Sequence, residues 1–141
     1  MPWVPYGMAN LVVLIVEDHP GVRDSIERMV EQWPNVELYS ADNFLSAAIW
    51  IKAIERLDLL LSDVCLPGEM SGIDVAEVAV AAHKGVAVVM FSSDHLSDVV
   101  GMQPGYGFVQ KPFGAEQLTR HIDKALLNRR LSDDLAPTPA I

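Results

Sequence analysis

Short apolar runs alternate with longer stretches of helical period along almost the whole chain, and this alternation restricts the fold more than any other feature. The five runs are Leu11 to Val16, Val36 to Ser40, Asp58 to Ser62, Val86 to Phe91 and Tyr106 to Val109. Between them lie stripes spaced three or four residues apart, such as Val22, Ile26, Met29, Val30 and Trp33, or Leu118, Ile122, Ala125, Leu126 and Arg129. Strands that alternate with helices close into right-handed parallel crossovers. Near-continuous apolar character in the first, third and fourth runs marks strands buried on both faces. Gly21, Gly72 and Gly114 punctuate the loops. The arrangement that fits is an α/β doubly wound sandwich whose parallel sheet has the order 2-1-3-4-5.

Composition removes several classes of function. Against 10 basic residues stand 19 acidic ones, a formal charge of -9, so no direct nucleic-acid contact is expected. The one basic run, Asn128-Arg129-Arg130, is read as cations in the last turn of a helix, where they complement its dipole. Cys65 is the sole cysteine, which excludes an intrachain disulfide and an all-cysteine zinc site and fits a reducing, cytoplasmic setting. Leu11 to Val16 ends at Glu17-Asp18 with no basic residue before it, so neither a signal peptide nor membrane insertion is expected. Residues 1–10 read as a loose leader, 11–130 as one domain, and 131–141, with Pro137 and Pro139, as a flexible tail.

In doubly wound sheets, groups that do chemistry collect at the carboxyl edge of the strands. Four of the five runs end there in polar residues: Glu17-Asp18, Asp63, Ser92-Ser93-Asp94 and Lys111-Pro112. Each has an ordinary local reading. Asp18 suits the cap of a helix opening at Pro20, Ser92 a loop hydroxyl, Lys111 a solvated charge. Their joint arrival at strand ends points instead to one shared crevice. Glu17, Asp18 and Asp63 would repel unless a cation sat among them, and carboxylates without clustered histidines suit Mg²⁺. With a metal, Lys111 and Ser92 to neutralise and bond phosphoryl oxygens, Asp63 is an equipped nucleophile whose product is an aspartyl phosphate.

These residues resemble the receiver domains of two-component response regulators. The resemblance covers about Leu11 to Leu127 and rests on Glu17-Asp18, Asp63 with Leu66-Pro67-Gly68, Ser92, and Lys111-Pro112-Phe113, in that order. It implies a flavodoxin-like fold with about five helices and a signalling domain that catalyses its own phosphorylation and dephosphorylation. By the resemblance, Asp63 accepts a phosphoryl group from the phosphohistidine of a sensor histidine kinase or a histidine phosphotransfer protein. Asp18, Asp63 and the Cys65 backbone carbonyl would hold Mg²⁺, with Glu17 reaching it through water. Ser92 would move toward the phosphate, Phe108 stands at the aromatic switch position, the Lys111–Pro112 bond would be cis, and a downstream protein target would read the change.

Three departures stand out. Ser93 replaces a common Ala, Cys65 and Asp94 occupy positions that tune spontaneous hydrolysis in the family, and the segment between Ser92 and Lys111 is short. A fourth helix can open near His95 with Asp94 as its cap, but Gly101 weakens it and Pro104 stops it, so helix 4 is expected to be short. Rival readings are a phosphatase of the haloacid dehalogenase type, which wants a second Asp where Cys65 stands, and a flavodoxin-like cofactor module, which wants a Gly/Ser/Thr loop where Glu17-Asp18-His19-Pro20 stands. An unphosphorylated pseudo-receiver is a third, opposed by the intact acidic pair, acceptor and lysine.

Overall fold

The computed structural model describes residues 10–135, with side chains described through residue 129. β1 (Leu11–Val16) is buried over its whole length because it lies between two other strands, β2 (Val36–Ala41) and β3 (Leu59–Asp63). β4 (Ala87–Ser92) and β5 (Gly107–Gln110) extend the sheet beyond β3, giving the parallel order β2-β1-β3-β4-β5. The strands fall within one residue of the expected runs, and the order is the expected one.

Alternation along the strands builds two cores. Leu11, Val13 and Ile15 face one layer, where α1 (Pro20–Glu31) and α4 (Ala115–Leu135) supply Ile26, Val30, Leu118, Ile122 and Leu126. Val12, Leu14 and Val16 face the other, where α2 (Phe44–Ala53) and α3 (Gly72–Ala82) supply Ala47, Ile51, Ile73, Val75, Ala76 and Ala79. Val22, Ile26, Met29 and Val30 of the first stripe are the core-facing side of α1, and Leu118, Ile122, Ala125 and Leu126 of the second are that of α4. Among the described residues, no helix is long and apolar enough to cross a membrane.

Four expectations need correction. Between β4 and β5 the described backbone forms only a one-turn 3-10 segment, Leu96–Asp98, so the fold has four α-helices rather than about five. Asp94 does not cap it: His95 stands at that position, without a side-chain bond, and Asp94 Oδ2 lies 3.7 Å from Cys65 Sγ. Gly101 takes φ +92°, a left-handed backbone that ends any helical continuation. The cap of α1 is His19, whose Nδ1 accepts from the Val22 N–H at 3.2 Å, which leaves Asp18 free of that role. Finally, α4 continues to Leu135, so Arg129 is not in a last turn; its NH1 donates to the Asp58 carbonyl at 2.9 Å. The helix thereby includes residues 131–135. Residues 1–9 of the expected leader and 136–141 of the expected tail lie outside the described residues.

Candidate functional site

β3 delivers Asp63 to the carboxyl edge of the sheet as its last residue, 5% exposed. The carboxylate is held on both oxygens. Oδ1 accepts from the Cys65 N–H at 2.9 Å, and Oδ2 accepts from Lys111 Nζ at 2.6 Å. The same ammonium reaches Glu17 Oε1 at 2.5 Å. Lys111 is aimed inward because its own N–H donates to the Ser92 carbonyl at 2.7 Å, and the Lys111–Pro112 bond that follows is cis, as expected. Its ammonium lies 5.6 Å from the Phe91 ring centre.

Glu17 is fully buried at the end of β1, and its backbone carbonyl is fixed by the guanidinium of Arg23 at 2.9 Å. Its second oxygen, Oε2, has no partner among the described residues. A buried carboxylate oxygen without a donor is costly unless something outside the chain satisfies it. Carboxylate oxygens of Glu17, Asp18 and Asp63 lie within 4.8 Å of one another, and Asp18 is exposed at the mouth. This donor set fits a hard divalent cation: all oxygen, one orphaned atom, and one open side for solvent or a phosphate.

Charge at the site follows from the same geometry. Burial, reinforced by the neighbouring Asp63 carboxylate and only partly offset by Lys111, pushes Glu17 up to about 7. Burial works against the Lys111 ammonium, but its bonds to Asp63 and Glu17 outweigh that and raise it above the ordinary lysine value. A carboxyl group raised from 4.5 to about 7 on folding contributes stability that is present at acid pH and lost as pH climbs through that interval. In metal-free protein, urea midpoints of the wild type relative to Glu17→Gln should therefore fall between pH about 5 and about 7.5. A constant difference over that range would show that Glu17 does not carry the proton.

The other expected residues lie on β4, in the loop after β3 and on β5. Ser92 ends β4 fully buried, its Oγ accepting from the Asp94 N–H at 3.1 Å. The exposed Cys65 thiol is pushed up, first by desolvation and then by the Asp63 and Asp94 carboxylates, which disfavours its thiolate. Phe108 is half-buried in β5, opposite Met90, and packs on the core layer of α2 and α3. Two further residues build the site. Arg23 sits on a helix face where its reach to the Glu17 carbonyl has no local signal. Gly72 opens α3 so close to β3 that a Cβ would lie 1.8 Å from the Asp63 carbonyl oxygen.

The family model for the response regulator receiver domain matches residues 13–123, a span that contains every residue of this constellation. The chain belongs to that family. This receiver is 31% identical over 108 residues to the transcriptional regulatory protein MalR of Bacillus subtilis (strain 168), covering 74% of this chain and 46% of MalR. It is 30% identical over 114 residues to the sensory transduction protein LytT of Enterococcus faecalis, covering 80% of this chain and 47% of LytT. The chain thus spans about half the length of these curated relatives. A response regulator receiver protein from Sinorhizobium medicae WSM419 superposes with a TM-score of 0.77 at 19% identity, covering 85% of this receiver and 97% of that chain. Its fold is the flavodoxin-like receiver fold of two-component systems.

Proposed function

We propose that Asp63 of this receiver is phosphorylated, in the presence of Mg²⁺, by the phosphohistidine of a sensor histidine kinase or histidine phosphotransfer protein, and that the change is read by a downstream protein. The observation that supports this most is the single ammonium of Lys111 bonded to both Asp63 and Glu17 beside an unpartnered Glu17 oxygen. Such a cluster suits a nucleophile, with one cation already bonded to Asp63 and an unpartnered Glu17 oxygen beside it for a second.

Asp18, Asp63 and the Cys65 carbonyl would hold Mg²⁺, with Glu17 acting through water. When bound, the metal supplies positive charge to a phosphoryl oxygen and to the carboxylates. The chain does the rest. The Cys65 N–H keeps Asp63 Oδ1 fixed, Oδ2 attacks phosphorus, the P–N bond to the donor histidine breaks, and the departing nitrogen keeps the electron pair and takes a proton. Lys111 can move from the Asp63 oxygen to a phosphoryl oxygen without leaving Glu17. Ser92, buried one strand away, would turn its hydroxyl to another phosphoryl oxygen, and Phe108 would follow on the α2 and α3 side of β5. A haloacid-dehalogenase-type reaction is not favoured, since the position two residues after Asp63 is a thiol rather than a carboxylic acid. A cytoplasmic location is part of the same proposal.

Acetyl phosphate with Mg²⁺ should add one acid-labile phosphate to the chain, and chelation should prevent it. No uptake under these conditions, with the protein folded, would make this an unphosphorylated interaction module. Asp18→Ala should weaken Mg²⁺ binding about tenfold or more by calorimetry, while Glu17→Gln, acting through water, does less. Equal affinity in wild type and Asp18→Ala would remove Asp18 from the metal site.

A further inference from the structure

At the opposite edge of the sheet from Asp63, a cavity of about 360 Å³ opens beneath the amino ends of β3 and β4. Three of the chain's 10 basic residues, Arg56, Lys84 and Arg129, line it, although the protein carries a net charge of -9. The two guanidinium groups converge on one carboxylate. Asp58 is 3% exposed and accepts from Arg56 Nε at 3.1 Å, from the Val12 N–H at 2.9 Å and from Arg129 NH1 at 3.4 Å. One carboxylate neutralises one guanidinium. Among the described residues the second, on an Arg129 side chain only 16% exposed, has no other carboxylate bonded to it, and the three cations of the lining exceed its two carboxylates, Asp58 and Glu55. Glu55 lies on the rim but, among the described residues, pairs with neither arginine.

A partly buried surplus of positive charge calls for an anion. Arg129 spends NH1 on Asp58, and among the described residues its Nε and NH2 have no partner, so part of its planar donor fork remains for bidentate bonding to an oxyanion. The rim is fixed. His83, which follows α3, donates Nε2–H to the Ile51 carbonyl at 2.7 Å, and the chain turns through Gly85 at φ +84° beside Lys84 at the opening. The volume lies at the lower end of ligand-pocket sizes, about 300–1,000 Å³, which suits a small anion rather than a polypeptide.

We propose that the Arg56, Lys84 and Arg129 cavity is a binding site for a small phosphate-bearing anion, inorganic phosphate or a phosphate monoester, separate from the phosphoacceptor crevice. The crevice does not compete for it without metal, because there three carboxylates face one ammonium. Inorganic phosphate titrated into the full chain with chelator present should shift the Lys84 and Gly85 amide resonances saturably and raise the melting temperature above that in chloride of equal ionic strength. Lys84→Glu should weaken this binding about tenfold or more, and Lys84→Arg should retain it. Lys84 is exposed, so both variants keep the fold. Linear shifts without saturation, equal effects of phosphate and chloride, or undiminished binding in Lys84→Glu would each overturn the site. None of these outcomes bears on Asp63. Glucose 6-phosphate in the same titration distinguishes a monoester site, where it binds at least as well as phosphate, from one that admits only the inorganic ion.

Discussion

Gly72→Ala should cost about 4 kcal/mol or more in urea unfolding and remove most acetyl-phosphate labelling from whatever remains folded. A methyl group at Gly72 would stand 1.8 Å from the Asp63 carbonyl oxygen, 2.7 Å from its carbon and 2.8 Å from Ser62 Oγ. Only the last is a side-chain atom. The carbonyl belongs to the central strand, which is paired on both sides, and the glycine's own N–H donates to the Val64 carbonyl at 2.8 Å. Either α3 moves off the sheet, opening the layer that holds Ile73, Val75, Ala76 and Ala79, or Asp63 is displaced from Lys111. Both outcomes damage the site, so stability and labelling should fall together. A variant with wild-type urea midpoint and labelling would mean that this close approach is not kept in solution.

Asp63→Asn should abolish the acid-labile phosphate while leaving the protein at least as stable as the wild type in metal-free buffer. The amide oxygen can still accept from the Cys65 N–H, so the loop after β3 keeps its anchor. Lys111 loses one partner but retains Glu17. Removing one of three crowded carboxylates relieves repulsion, and Glu17, now alone against the ammonium, should ionise at lower pH. Stability and function therefore move in opposite directions at this position, unlike at Gly72. Label that persists in Asp63→Asn, or that maps to a histidine, would transfer the acceptor role elsewhere.

These positions also show what a sequence can disclose. Asp63, Glu17-Asp18 and Lys111 were legible because each interrupts an apolar run at its carboxyl end, a one-dimensional signal that parallel topology converts into proximity. The strand order followed from crossover handedness and chain length. The fourth helix is less legible: His95 to Gln103 can be written as a short helix, but Asp94 turns to Cys65 and Gly101 takes a left-handed backbone, leaving one 3-10 turn. In sequence Gly72 is only punctuation, because what makes it necessary is a carbonyl nine residues earlier. Arg129 looks in sequence like a partner of the helix dipole, since nothing near it announces Asp58.

The final helix has a mechanical consequence. It begins at Ala115, four residues after Lys111, and Arg129 ties it to Asp58 at the far side of the sheet before the backbone continues to Leu135. Its 21 residues make a rod of about 30 Å, roughly twice the span of a five-residue strand. The rod is rooted beside the Asp63 crevice and overhangs the opposite pole by its last turns. A tilt of about 10° at the root would carry Leu135 through about 5 Å, with the Arg129 clamp as the brake that must slip first.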